Sequence, residues 1–393
     1  MTTRLPVVCT VLSVFLIWGC GASKKLKNDN IVKSSGDVST EDVVPVRTQI
    51  TWESIPNNEN TEHPIPAAGE DAAFAFDAEN NHFIMFGGKS DDDSTLNETW
   101  LYYPDKHYWR QITDSKLNPP PREDHVLLYD SFRHKTILHG GEDGDTSNEL
   151  WELDLKTNQW TNKTTENTPF MEDHQAVYIE SQKGAYFFGG QNEDVRSLNE
   201  LWFLDLDPQS PSFYQWKLIQ STGKKTPSPR VDHAMIYDKL KNRLLIFGGY
   251  DRGKKRYTTD TWEFLFASMK WHKIKMKPKL RQFFPPSRRH VGSALDERNH
   301  LWIIFGGAGV GGPLNDTWVF NLADDTWTDV TPGPAPRMDH SLLFDANNGN
   351  LYLLGGDRKK KGHPEKLHDV WKIKYHSKEL LNHQESKKVK KTE

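Results

Sequence analysis

The chain has 393 residues, of which 36% are hydrophobic, 26% charged and 11% aromatic, with 14 tryptophans. That aromatic content excludes a disordered chain, and 50 Lys and Arg against 54 Asp and Glu, a net charge of −4, exclude a globally basic nucleic-acid binder. The only cysteines are Cys9 and Cys20, so everything after Cys20 can hold no disulfide, Cys-ligated metal or Cys nucleophile.

In chain order, Arg4 precedes an apolar run from Leu5 to Gly19. The run is too short to span a bilayer comfortably and suits the apolar region of a secretory signal over residues 1–19. It ends Leu16-Ile17-Trp18-Gly19-Cys20, which resembles the lipobox of bacterial lipoproteins, with Trp18 bulkier than the usual occupant. The resemblance implies lipid on Cys20, which would hold the chain on a bacterial envelope membrane without spanning it. Ordinary secretion with cleavage after Ala22 is the alternative. Residues 20–46 are polar, without apolar periodicity, and read as a flexible tether.

From residue 47 to 376 one pattern repeats six times. Gly-Gly stands at 87–88, 140–141, 189–190, 248–249, 306–307 and 355–356, each pair after a short apolar run such as Leu244 to Phe247. Such runs stopped by glycine predict strand ends. A second strand is expected around Trp100, Trp151, Trp202, Trp262, Trp318 and Trp371, and a third around Trp109, Trp160, Trp216, Trp271 and Trp327. With the run before each Gly-Gly strand, for example Val126 to Tyr129, each unit has four short strands. The tryptophan period is that of a core, so these rings read as inter-blade packing rather than ligand platforms. The glycine pairs read as places where close approach or positive φ excludes a side chain.

This pattern resembles the kelch repeat, and the resemblance implies an all-β, six-bladed β-propeller of four-stranded blades around a channel. The sixth unit lacks a second Trp and ends Lys372-Ile373-Lys374-Tyr375, whereas Thr51-Trp52-Glu53-Ser54-Ile55 matches Trp327-Thr328-Asp329-Val330. The N-terminal strand around Trp52 is therefore expected to complete blade six, which leaves no open edge. Residues 377–393, with Lys387, Lys388, Lys390 and Lys391, read as a charged, disordered tail.

A second motif opens the innermost strand. It reads Arg122-Glu123-Asp124-His125, Arg230-Val231-Asp232-His233 and Arg337-Met338-Asp339-His340 in units two, four and six. Unit three has Met171 ahead of Asp173-His174, and unit one keeps only Asp71 between Gly69 and Ala72. Unit five reads Ser287-Arg288-Arg289-His290, taken as lacking the Asp and carrying one extra residue before Asp296. Within an antiparallel blade the start of the first strand and the end of the second share a face, so the motif and the loops after Gly-Gly should surround one channel mouth.

In kelch propellers this face commonly binds the ligand, and arginines at the matching position often engage acidic partners. The resemblance thus implies a binding site of Arg122, Asp124, His125, Asp173, His174, Arg230, Asp232, His233, Arg288, His290, Arg337, Asp339 and His340. The alternative is that each Asp–Arg–His group is a bracket between neighbouring blades, and both hold if the guanidinium edges stay exposed. The loops after Gly-Gly are acidic in units one to three (Asp91-Asp92-Asp93, Glu142-Asp143, Glu193-Asp194) and basic in units four and six (Arg252 to Arg256, Arg358 to Lys361). One side of the face should then be negative and the other positive. The acidic clusters lack a fixed Ca²⁺-ligand spacing, so neither metal nor cofactor is expected.

Enzyme readings find little support. Galactose oxidase shares the propeller, but its copper site needs a Cys crosslinked to Tyr. No Gly-x-Ser-x-Gly elbow or His-Glu-x-x-His helix occurs. Sialic-acid mutarotases, six-bladed kelch propellers, give the enzymatic alternative, with Glu123, His125, His233 and Arg230 as acid–base groups. The expected function is a non-enzymatic, monomeric cell-envelope binding protein for a protein or glycan ligand. Asn-x-Thr triplets at Asn97, Asn162 and Asn315 would be glycan acceptors only in a eukaryotic source.

Overall fold

A computed structural model describes residues 50–56, 64–112, 117–194, 196–275, 284–331, 333–360 and 363–375. The expected signal, Cys20, the tether and the C-terminal tail lie outside the described residues. Apart from one 3-10 turn, Glu180–Gln182, the secondary structure described is all β. No helix among the described residues is long and apolar enough to cross a membrane.

Six antiparallel four-stranded sheets form the blades. Blade one runs Ala73–Asp77, His82–Phe86, Thr99–Tyr103 and Tyr108–Ile112, from the innermost strand outward. Blade two runs Val126–Asp130, Lys135–His139, Leu150–Asp154 and Gln159–Asn162. Blade three is Gln175–Ile179, Gly184–Phe188, Leu201–Asp205 and Trp216–Leu218. Blade four is Ala234–Asp238, Arg243–Phe247, Thr261–Leu265 and Lys270–Lys273. Blade five is Gly292–Asp296, Leu301–Phe305, Thr317–Asn321 and Thr326–Asp329. Blade six takes Ser341–Asp345, Asn350–Leu354 and Val370–Tyr375 from the C-terminal end, and its outermost strand, Ile50–Ile55, from the N-terminal end. Trp52 stands opposite Ile373 and Ser54 opposite Trp371, so the expected closure is the observed one.

The second strand of each blade is buried on both faces, as Phe83, Ile84, Met85 and Phe86 show. Six apolar clusters fill the six seams between blades. The second tryptophan of a unit reaches back to the aromatic ring that ends the preceding blade's second strand. Trp160 meets Phe86 at 5.3 Å between ring centroids, Trp271 meets Phe188 at 4.9 Å and Trp327 meets Phe247 at 5.1 Å. Trp52 does the same to Phe305 at 4.8 Å, which makes it the missing second tryptophan of the sixth unit by contact as well as by pairing.

All twelve paired glycines have positive φ. A Cβ on Gly140 would stand 2.1 Å from the carbonyl of Met171 in the next blade, and Gly141 donates its N–H to that same carbonyl at 2.9 Å. The pair is where one blade's turn nests against the entry of the next, a packing that only a missing side chain permits. The loops after Gly-Gly carry structure of their own. In blades four to six they form small ribbons, Tyr250–Asp251 with Arg256–Tyr257, Ala308–Gly309 with Gly312–Pro313, and Asp357–Lys360 with His363–Lys366.

Candidate functional site

Isolated β-bridges place the motif beside the residue that follows Gly-Gly in its own blade, for example Glu70 with Lys89, Glu123 with Glu142 and Val231 with Tyr250. Motif and loops therefore share the channel mouth, as expected. Within the motif, however, the three residue types separate.

The arginines turn away from the channel. Arg230, Arg288 and Arg337 are 0% exposed and Arg122 is 2% exposed. Each donates to the carbonyl of the first glycine in its own pair, as Arg230 to Gly248 at 2.8 Å and Arg337 to Gly355 at 2.9 Å. Each also pairs an acid two residues before that blade's first tryptophan. The pairs are Arg122–Glu149, Arg230–Asp260 at 3.0 Å, Arg288–Asp316 at 2.5 Å and Arg337–Asp369 at 2.6 Å. The same acids accept the indole N–H of Trp151, Trp262, Trp318 and Trp371. The exposed guanidinium ring anticipated from the sequence is therefore absent, because each Arg is consumed by a carbonyl, a carboxylate and the space between strands.

The acid two residues before Trp was missed, although Glu98, Glu149, Glu200, Asp260, Asp316 and Asp369 recur in every unit. Two of the Asn-x-Thr triplets, at Asn97 and Asn315, surround this acid and are part of the repeat itself.

The histidines are the bracket between blades. The rings of His125, His233 and His340 pack edge-on against Phe86, Phe188 and Phe305 of the preceding blade at 5.3 to 5.6 Å. His174 instead meets His139 Nδ1 through its Nε2 at 3.1 Å. Burial pushes His125, His174 and His340 down to about 3 and His139 and His233 well below the ordinary imidazole range, so all five are neutral. His125, His233 and Arg230, named for acid–base work in the mutarotase reading, are 7%, 2% and 0% exposed.

The aspartates face the channel. Asp71, Asp124, Asp173, Asp232 and Asp339 form a ring whose sixth member is His290, all with φ between +50° and +56°. His290 thus occupies the aspartate position, not the histidine one. Arg288, Arg289, His290 and Val291 align with Arg230, Val231, Asp232 and His233, and the extra residue expected before Asp296 does not exist. Asp and His both tolerate the left-handed backbone better than most side chains, which explains why one can replace the other here. Backbone N–H groups join the collar from blade to blade, Asp173 to Asp124 at 3.0 Å, Asp232 to Asp173 at 3.1 Å and His290 to Asp232 at 3.1 Å.

The ring surrounds a central cavity of about 360 Å³. Burial and the neighbouring Asp232 push Asp173 up to about 8. Burial, with Asp339 beside one and Asp173 beside the other, raises Asp71 and Asp124 well above the carboxylate range. Burial opposes the charge on His290, yet Asp232, 3.3 Å from its Nε2, and Asp339 at its Nδ1 raise it well above the imidazole range. In return, and against its own burial, Asp339 is held low by His290.

An outer ring adds Glu70, Glu123, Glu142, Glu172 and Asp357. Its cations are Lys89 on Glu123, Arg252 on Asp173 at 3.0 Å, Arg289 on Asp232 at 3.5 Å and Lys366 on Glu70 at 3.2 Å. The glutamates come from blades one to three; of the loop residues expected to be basic, Arg252 of blade four reaches the ring, while the other cations come from blades one, five and six, so the expected division into a negative and a positive side holds only in part. Carboxyl groups nevertheless outnumber cations, and a positive charge entering the mouth would favour ionisation of the raised aspartates.

Over residues 9–210, 131–333 and 173–390 the chain matches the family model described as the KLHDC2/KLHL20/DRC7 Kelch-repeats domain. An F-box/kelch-repeat protein of Arabidopsis thaliana is 32% identical over 195 residues, 47% of this chain and 38% of that protein. The flagellar outer-arm dynein alpha chain of Chlamydomonas reinhardtii is 25% identical over 327 residues, 78% of this chain and 7% of that one. Kelch domain-containing protein 3 of Homo sapiens is 26% identical over 218 residues, 52% of each chain. The chain spans about half or less of the length of these relatives.

Proposed function

The chain belongs to the kelch-repeat family of β-propellers, and we propose that it is a non-enzymatic interaction module whose channel mouth takes a cationic segment of a protein partner. The observation that carries this reading is the collar of Asp71, Asp124, Asp173, Asp232 and Asp339. All five converge on one cavity, and Asp71 and Asp124 make no ion pair among the described residues. A Lys, Arg or amino terminus entering the mouth would relieve the repulsion that holds Asp71, Asp124 and Asp173 partly protonated. The two mouth arginines, Arg252 and Arg289, would orient the partner against blades four and five.

The test is capture of partners by the full chain from its own envelope extract, beside an Asp124→Asn/Asp173→Asn variant whose melting is checked first. Loss of a partner in the folded variant, and release of that partner from the parent at about 1 M salt, where screening acts within about 3 Å, support the reading. Equal capture by both chains refutes it.

We propose further that the chain is held at a bacterial envelope by lipid on Cys20. The run from Leu5 to Gly19 ending Ile17-Trp18-Gly19-Cys20 supports this. Mass spectrometry of the mature amino terminus decides it. An acylated Cys20, and release of a Cys20→Ala chain from membranes, are expected; a mature terminus at Ser23 would overturn it.

A further inference from the structure

We propose that Glu70, Asp339 and Asp357 hold a hard divalent cation of the Ca²⁺ class at the seam between blade one and blade six. One carboxylate oxygen from each lies within 4.8 Å of the others, a spacing that a single ion with oxygen bonds of about 2.3–2.6 Å can bridge. Asp357 gives the independent sign of a missing ligand. It is 6% exposed, its Oδ1 is enclosed without a hydrogen-bond partner, and its carboxylate makes no ion pair among the described residues. A buried carboxylate is ordinarily paired or bound to metal.

The repeat explains why the site falls at this seam. Unit one has Gly69 and Ala72 where units two, four and six bury an Arg and a His. A largely apolar cavity of about 40 Å³ adjoins the carboxylates there; Glu70 and Asp339 line it with Gly69, Ala72 and Trp109, while Asp357 stands outside its lining. A space of that size holds a water or two that could complete an ion's coordination. The donor set is all oxygen, as hard cations prefer. Lys366 stands nearby but is shared between Glu70 and Asp93, and His290 takes one oxygen of Asp339, so the ion would draw on Asp357, the second oxygen of Asp339 and what Glu70 retains. Glu70 belongs to the entry of blade one and the two aspartates to blade six, so the cation would clamp the first and last units beside the bond from Gly356 N–H to the Gly69 carbonyl at 2.6 Å.

The test uses the full chain stripped with chelator, then titrated separately with Ca²⁺ and Mg²⁺ while melting is followed, and with Tb³⁺ while Trp-sensitised emission is read. Trp109 lines the cavity and is the expected sensitiser. A rise of several degrees in melting temperature with either cation, and Tb³⁺ emission displaced by Ca²⁺, are expected. Asp357→Asn should weaken cation binding at least tenfold while melting at or above the parent in chelator, and Glu70→Gln should weaken it independently. No shift and no emission, or the same shift in both variants as in the parent, overturns the site. Partner capture is measured separately, so failure of either proposal leaves the other standing.

Discussion

Replacement of Arg230 distinguishes a framework arginine from a ligand arginine. Its guanidinium is 0% exposed and holds the Gly248 carbonyl at 2.8 Å, the Ser228 carbonyl at 3.2 Å and Asp260 at 3.0 Å. Blade three runs the comparison naturally, with Met171 in the Arg position and the Glu200 carboxylate held, among the described residues, by the indole N–H of Trp202. In Arg230→Met the side-chain volume is largely kept. Asp260 retains Trp262 at 2.9 Å and Lys273 at 3.3 Å, so the main loss is the partner of the buried Gly248 carbonyl. Such an orphaned group costs roughly 1–3 kcal/mol, and about 2 kcal/mol is expected. In Arg230→Ala a cavity is added, and breaking a buried pair costs about 3–5 kcal/mol, so about 4 kcal/mol is expected. At roughly 2 °C per kcal/mol for a chain of this size, the melts should fall by about 4 °C and about 8 °C. Scanning calorimetry and urea melts read both values. If Arg230→Met melts with the parent but loses a partner, the guanidinium is a binding group and the reasoning fails.

Gly140→Ala, with φ +71° and a carbonyl 2.1 Å from the new Cβ, should cost about 3 kcal/mol or more, whereas Gly144→Ala, with φ +85° and open space, should cost only about 1 kcal/mol of strain in a urea melt. Asp173 titrates in the ordinary carboxylate range when unfolded and near 8 when folded, so the folded state holds the extra proton between those values and loses that advantage as pH rises through 8. Melting should therefore fall as pH rises from about 5 to 8 and level off above, and fall less in Asp173→Asn; parallel curves would remove the repulsion from the account. In an NMR titration the imidazoles of His125, His174 and His340 should stay neutral until near pH 3, while His290 stays protonated well above the ordinary range. Trp52→Ser removes the ring packed on Phe305 and should expose the Val370–Tyr375 strand to limited proteolysis before any other blade.

Blade number, strand count and closure were legible because they rest on periodic local signals. Gly-Gly must recur wherever a turn nests against the next blade's entry, and a tryptophan must recur wherever a seam needs filling. Trp52 could be assigned to blade six from its neighbours alone, since a unit short of one strand at one end and long by one at the other has a single closed solution. The motif at the channel mouth was also visible, but not which of its members faces the ligand. That depends on partners distant in sequence: Arg230 is withdrawn by Asp260, and His233 by Phe188, leaving Asp232 on a left-handed backbone that turns it to the channel. Composition and spacing thus determine a closed ring of six sheets. The sign of the field at its mouth is decided only when burial neutralises the histidines and internal carboxylates take up the arginines, because a charge acts on a partner only if the fold leaves it unpaired.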